Sequence, residues 1–154
     1  GLNIALNYKG FDLSMFWQGV YDKDVYNNQK FQTDFWSITD AGSNKGNRLL
    51  GAWNTNNTGS TIPALTTNNT ADEGRSSTYF VENGSYLKLR NLQLGYNLPA
   101  SFLSKFKMSS ARVYLSGQNL LTVKSKSLTC SDPENPDWNY PLATSISFGL
   151  QLGF

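Results

Sequence analysis

Apolar and polar residues alternate in five separate stretches of this chain. In the last of them, Thr144 to Phe154, Ile146, Phe148, Leu150, Leu152 and Phe154 are interleaved with Ser145, Ser147, Gly149, Gln151 and Gly153. A strand with that period of two carries all its apolar side chains on one face. Near the start, Leu2, Ile4, Leu6 and Tyr8 alternate with Asn3, Ala5, Asn7 and Lys9, and Phe11, Leu13, Met15 and Trp17 follow with the same spacing. If Lys9-Gly10 forms a two-residue turn, Tyr8 pairs with Phe11, Leu6 with Leu13, Ile4 with Met15 and Leu2 with Trp17, and every apolar residue falls on one face. A slip of one residue would destroy that agreement. Phe16 on the polar face is the exception, and Gly19 leaves a gap on the apolar one.

From Ser85 the pattern returns. Leu87 and Leu89 share one parity and Leu92, Leu94, Tyr96 and Leu98 the other, so one inserted residue, a β-bulge near Arg90-Asn91, is expected. Lys88, Gln93, Gly95 and Asn97 then point to the polar side. Pro99 ends this strand, and residues 99–110 form a short connection with room for one helical turn. The next strand spans about 111–123, with Val113, Leu115, Leu121 and Val123 opposite Arg112, Tyr114, Ser116, Gln118 and Thr122; Asn119 interrupts its apolar side. The predicted strands are therefore about 1–9, 11–21, 85–98, 111–123 and 144–154.

Between them lie two long stretches, about 22–78 and 124–143, without regular period. The first is rich in Asn, Thr, Ser and Gly, with isolated aromatics at Phe31, Phe35, Trp36 and Trp53. More than fifty such residues sit poorly inside a compact soluble domain, but long loops on one side and short turns on the other are the habit of a transmembrane barrel. The closing strand also has about the ~9–11 residues that a tilted strand needs to cross a bilayer. The expected fold is thus all-β, an antiparallel transmembrane β-barrel segment with long extracellular loops. Five strands are too few, and the wrong parity, for a whole single-chain barrel of the bacterial type. The chain also opens at Gly1 inside a strand, so a fragment of a longer protein is expected.

Composition agrees. Mean hydropathy is −0.42, and no apolar run approaches the ~18 residues of a membrane helix, which leaves strands as the only means of crossing. Aromatics make up 14% of the chain, and the formal charge is +2 with the 13 basic residues scattered, so no basic stripe points to nucleic acid. There is no His and one Cys, Cys130, which removes the common zinc sites, the Ser-His-Asp triad and the Cys-His dyad together. Cys130 is expected as a free thiol or paired outside the chain. The acidic cluster Asp132, Glu134 and Asp137 lies in a Pro-rich loop that reads as solvated rather than as an acid or calcium site. No enzyme activity, cofactor or metal is expected.

The segment VENGSYLKLRNLQLGYNLP (81–99), then SARVYLSGQNLLT (110–122), DPE (132–134), Tyr140-Pro141 and the terminal FGLQLGF resemble the carboxyl end of SusC/RagA-family TonB-dependent outer-membrane transporters; YKGFDLSMFWQGVYDKDVYN (8–28) is similar to that family's preceding hairpin. The resemblance implies a ~22-stranded barrel with an amino-terminal plug, of which this chain supplies the last five strands. It also implies nutrient uptake, the import of glycans or peptides, with energy delivered by TonB to a missing amino-terminal region and a SusD-like surface lipoprotein as partner. The outer membrane, its lipid and its assembly machinery complete the expected setting, with Ile146, Phe148, Leu150, Leu152 and Phe154 as the assembly signal. Trp53, Trp138 and Tyr140 are the candidate substrate or partner contacts on the long loops. A passive porin-like barrel and a soluble carbohydrate-binding β-sandwich with exposed aromatic platforms are the alternatives.

Overall fold

A computed structural model describes residues 1–35, 44–68, 72–137 and 139–154. Its strands are β1 (Leu2–Tyr8), β2 (Phe11–Val20), β3 (Asp24–Tyr26), β4 (Val81–Asn83), β5 (Tyr86–Asn97), β6 (Ser110–Lys124) and β7 (Ser145–Gly153), with short helices α1 (Asn28–Thr33) and α2 (Ala100–Leu103). The chain forms two compact units. One comprises Gly1–Asp22, Ser85–Ser125 and Leu142–Phe154, the other Lys23–Gly84 and Lys126–Pro141.

The first unit is a five-stranded antiparallel sheet in the order β1-β2-β5-β6-β7. Lys9 and Gly10 both have positive φ, 47° and 87°, the twisted two-residue turn that matches the strands it joins. It sets the register that the alternation requires, Leu2 opposite Trp17, Ile4 opposite Met15, Leu6 opposite Leu13 and Tyr8 opposite Phe11. The bulge falls at Arg90, which the register skips between Leu89 and Asn91 on both neighbouring strands. On β6 two residues, Asn119 and Leu120, face that single one. Asn119 takes φ of 52°, a conformation that Asn tolerates better than most residues. Because two residues are passed over, the parity of β6 survives and Leu121 and Val123 return to the face of Val113 and Leu115.

The Arg90 side chain secures the bulge. Its Nε donates to Gln18 Oε1 at 2.8 Å and its Nη1 to Asn119 Oδ1 at 3.3 Å. Asn119 in turn holds the approach to β7, donating to the Ala143 carbonyl at 3.1 Å and accepting from the Thr144 hydroxyl at 2.9 Å. The expected helical turn in the 99–110 connection is α2, followed by a 3₁₀ turn at Ser104–Phe106.

The second unit gathers the two long aperiodic stretches. The short sheet β3–β4 pairs Asp24 with Asn83 and Tyr26 with Val81, and α1 follows with Asn27 as its N-cap, the side chain accepting from Lys30 N–H at 2.9 Å. Phe80 is buried at the centre, with the rings of Tyr26, Phe31, Phe35 and Tyr79 all between 5.2 and 5.6 Å from it. The isolated aromatics Phe31 and Phe35 are therefore the core of this unit; Trp36 lies outside the described residues.

Candidate functional site

Reading across the sheet strand by strand gives its first face. One row is Tyr8, Phe11, Tyr96, Val113 and Leu150; the next is Leu6, Leu13, Leu94, Leu115 and Phe148; the next is Ile4, Met15, Leu92, Gly117 and Ile146. Leu2, Trp17, Leu89 and Leu121 follow, then Gly19, Leu87 and Val123. The aromatic row lies at the short-turn end, where Phe11 and Tyr96 are 4.5 Å apart, and mostly aliphatic rows, with Phe148 and Trp17 among them, fill the middle. Along β2 the face runs from Phe11 to Gly19, about 26 Å at ~3.3 Å per residue, close to the ~25 Å apolar band of a membrane barrel. Most of these side chains are exposed, Phe148 by 74%, which a sheet folded for water would not leave uncovered.

The opposite face is polar and carries an ion pair. Asp12 on β2, Gly95 on β5 and Tyr114 on β6 stand side by side. Arg112 reaches across β5 to Asp12, with Nε 3.0 Å from Oδ1 and Nη2 2.5 Å from Oδ2. Its guanidinium also lies 5.2 Å from the centre of the Tyr114 ring. Ser14, Gln93, Ser116 and Ser147 form the next row. Phe16 also falls on this face and lies against Gly1, where a β-carbon would be 2.9 Å from its ring.

In the second unit the functional geometry centres on Glu82, a side chain that alternation gave no reason to single out. Its carboxylate accepts from Asn27 Nδ2 at 2.9 Å, from Thr129 N–H at 2.8 Å and from the Thr129 hydroxyl at 2.8 Å, with Lys30 Nζ at 3.6 Å. Burial pushes the Glu82 carboxyl up, yet the Thr129 N–H, the Asn27 amide, the Thr129 hydroxyl and the Lys30 charge outweigh it and hold it below the ordinary carboxylate value. Thr129 Oγ1 accepts in turn from Asn27 Nδ2 at 2.9 Å and Arg48 Nη1 at 2.8 Å. Arg48 Nε also meets buried Asp34 at 2.7 Å, and the Tyr79 hydroxyl donates to Asp34 at 2.9 Å. Burial and the Asp34 carboxylate beside it push the Tyr79 phenol well above its usual value.

The same unit shows that the acidic loop is not simply solvated. Asp132 and Pro133 are buried, and Asp132 turns the chain by accepting from Glu134 N–H at 2.9 Å. Cys130 is fully buried, packed with Val25 and Leu128, and its thiol donates to the Asp132 carbonyl at 3.4 Å, so an outside pairing does not fit its surroundings. Among the described residues no group of three or more His, Cys, Asp or Glu could hold a metal ion.

Of the candidate contacts, Trp53 is 43% exposed and lines a hollow of about 420 Å³ with Leu49, Leu50, Ala52, Ala64 and Leu65. Tyr140 is 97% exposed. Trp138 lies outside the described residues. Ile146, Phe148, Leu150 and Leu152 stand exposed along β7, and Phe154 follows its last residue.

No protein-family model matches the chain. It is 36% identical over 125 residues to TonB-dependent receptor P3 of Formosa agariphila, a match covering 79% of this chain and 11% of that protein. To TonB-dependent receptor SusC of Bacteroides thetaiotaomicron it is 29% identical over 157 residues, all of this chain and 15% of that one. The RagAB peptide transporter structure superimposes on 96% of this chain and 16% of its own with a TM-score of 0.74 and 32% identity. The chain belongs to the SusC/RagA family of TonB-dependent receptors. It spans between 11% and 16% of the length of these relatives. As a member of that family, its open five-stranded sheet is a segment of a β-barrel wall. The superposition includes nearly all of the chain, so the loop-borne unit as well as the strands has its counterpart in that structure.

Proposed function

We propose that the protein containing this chain is an outer-membrane importer of glycans or peptides, driven through TonB and working with a SusD-like surface lipoprotein, and that it carries out passage rather than catalysis. The observation that carries this reading is the sorting of the sheet into an exposed apolar face with an aromatic row at one edge and a polar face on the other side. In a barrel wall the first meets the hydrocarbon and the second the lumen. Family membership supports the energised form, and the RagAB match, a peptide transporter, keeps peptides beside glycans as cargo.

Within this reading the strands are wall and the loop-borne unit, with Trp53, Trp138 and Tyr140, contributes to the outer mouth, where amphipathic rings suit both sugar stacking and a protein interface. The exposed row Ile146, Phe148, Leu150, Leu152 and Phe154 serves as the signal for the membrane-insertion machinery. Uptake by cells expressing the complete transporter tests the whole. Import that stops when TonB is deleted supports it, and import that continues indicates a passive porin-like barrel. Deleting residues 54–70 is expected to weaken uptake or lipoprotein binding while membrane levels stay normal; unchanged uptake and binding would remove these loops from the mouth.

A further inference from the structure

We propose that the short-turn end of the sheet carries a binding surface for anionic phospholipid headgroups, with Lys9, Lys105 and Lys107 as the charge and Phe102 and Phe106 as the apolar anchors. The inference rests on the membrane reading above and adds a ligand to it. The Lys9-Gly10 turn and the 98–109 connection leave the same end of neighbouring strands, and Asn97 N–H donates to the Gly10 carbonyl at 2.8 Å, tying the two together.

The connection is amphipathic in an unusual sense. Leu103 is buried and α2 packs on β6, which fixes the turn to the sheet. Yet Phe102 and Phe106, one helical turn apart, stack at 5.1 Å and both stay exposed, by 44% and 58%. These two exposed rings lie on the connection that leaves the same end of the sheet as the row of Tyr8, Phe11 and Tyr96, and aromatic rings favour the headgroup level of a bilayer.

The charges fit one class of partner. Residues 1–20 and 97–124 contain a single carboxylate, Asp12, and Asp12 is held by Arg112 on the polar face. Lys105 and Lys107 flank Phe106, and Lys9 Nζ lies 5.2 Å from the centre of the Tyr8 ring. All three lysines are exposed. Lys107 also adopts φ of 54° as it closes the turn, a conformation in which Gly would be unstrained. The lysine there presents its charge at a position where the backbone itself favours Gly. Cations with exposed rings among them, at one end of a sheet with an apolar face, match phosphate-bearing lipid headgroups better than a soluble anion, which would have no use for the rings.

The test uses the complete transporter in detergent with equal amounts of phosphatidylglycerol and phosphatidylcholine, the lipids retained being counted by native mass spectrometry. The wild type should retain phosphatidylglycerol preferentially. In K9Q/K105Q/K107Q that preference should fall about fivefold for each lysine removed, and F102S/F106S should retain less of both lipids. K126Q, on the second long loop, should leave the preference unchanged. Heat-modifiable migration in gels, checked on every variant, reports folding separately from lipid choice. A wild type that folds and inserts without lipid preference, or a triple variant that keeps it, overturns the proposal alone; a protein that fails to enter lipid overturns the membrane reading with it.

Discussion

Arg112 grips Asp12 across an intervening strand, and the strand between them offers Gly95 at the crossing point. A β-carbon at 95 would lie 2.5 Å from an Arg112 nitrogen and 2.5 Å from an Asp12 oxygen. The pair therefore exists because residue 95 has no side chain. Gly95→Val should force it apart and lower the temperature at which the complete barrel loses its heat-modifiable form. The loss should shrink when Asp12 and Arg112 are both replaced by Ala, because neighbouring changes of this kind are not additive. An undiminished loss in the triple variant would separate Gly95 from the ion pair.

The two faces of β6 should respond oppositely to charge. Leu115 sits in the mostly aliphatic middle rows and Ser116 in the polar row behind it. Leu115→Arg is expected to cost about 2–4 kcal/mol of barrel stability near the midplane, and Ser116→Arg far less. Denaturant titration of the reconstituted transporter measures both; equal costs would contradict the assignment of faces.

In the loop-borne unit, Thr129→Val should be more damaging than its size suggests. It removes the hydroxyl that donates to Glu82 and accepts from Asn27 and Arg48, leaving charged groups short of a partner at a cost of about 1–3 kcal/mol. Hydrogen exchange should then speed up at Asn27 and β4 while β5 and β6 stay protected. Thr129→Ser, which keeps the hydroxyl, should restore the wild-type pattern.

Acid should loosen the same unit. The Glu82 carboxyl lies below its ordinary value in the folded state, so the unfolded chain binds the proton more readily. Its contribution is complete above the ordinary carboxylate range and disappears as pH falls through the lowered value. Proteolysis of the 23–84 segment should accelerate in that acid window, and Glu82→Gln should flatten the dependence. A profile unchanged by Glu82→Gln would assign the acid response to other carboxylates.

The sheet was readable in the sequence because its constraints are local and repeated. The alternation through Leu2, Ile4, Leu6 and Tyr8 admits one register with Phe11 to Trp17, and the parity change between Leu89 and Leu92 admits one inserted residue, which the structure places at Arg90. Family motifs then supplied what alternation lacks, a name for the sheet. The loop-borne unit was opaque for the converse reason. Asn27 meets Glu82 at a separation of 55 residues and Thr129 at 102, and no period connects them. Phe31 and Phe35 looked isolated because their common partner, Phe80, lies far along the chain. Asp132 looked solvated because acidity and prolines usually mean water, and here its turn is packed inside. One signal was available: Asn27 just before a short polar run, the position of a helix cap.

The joining of two insertions into one unit also bears on how such a protein can diverge. Glu82 belongs to the first insertion and Thr129 to the second, so neither is a self-contained cassette. Recombination that swapped one insertion for a homologue's would strand the hydrogen-bonding groups of the other. The module that must travel together is the pair, and an exchange has to bring both segments from one parent or rebuild the Glu82–Thr129 junction afterwards.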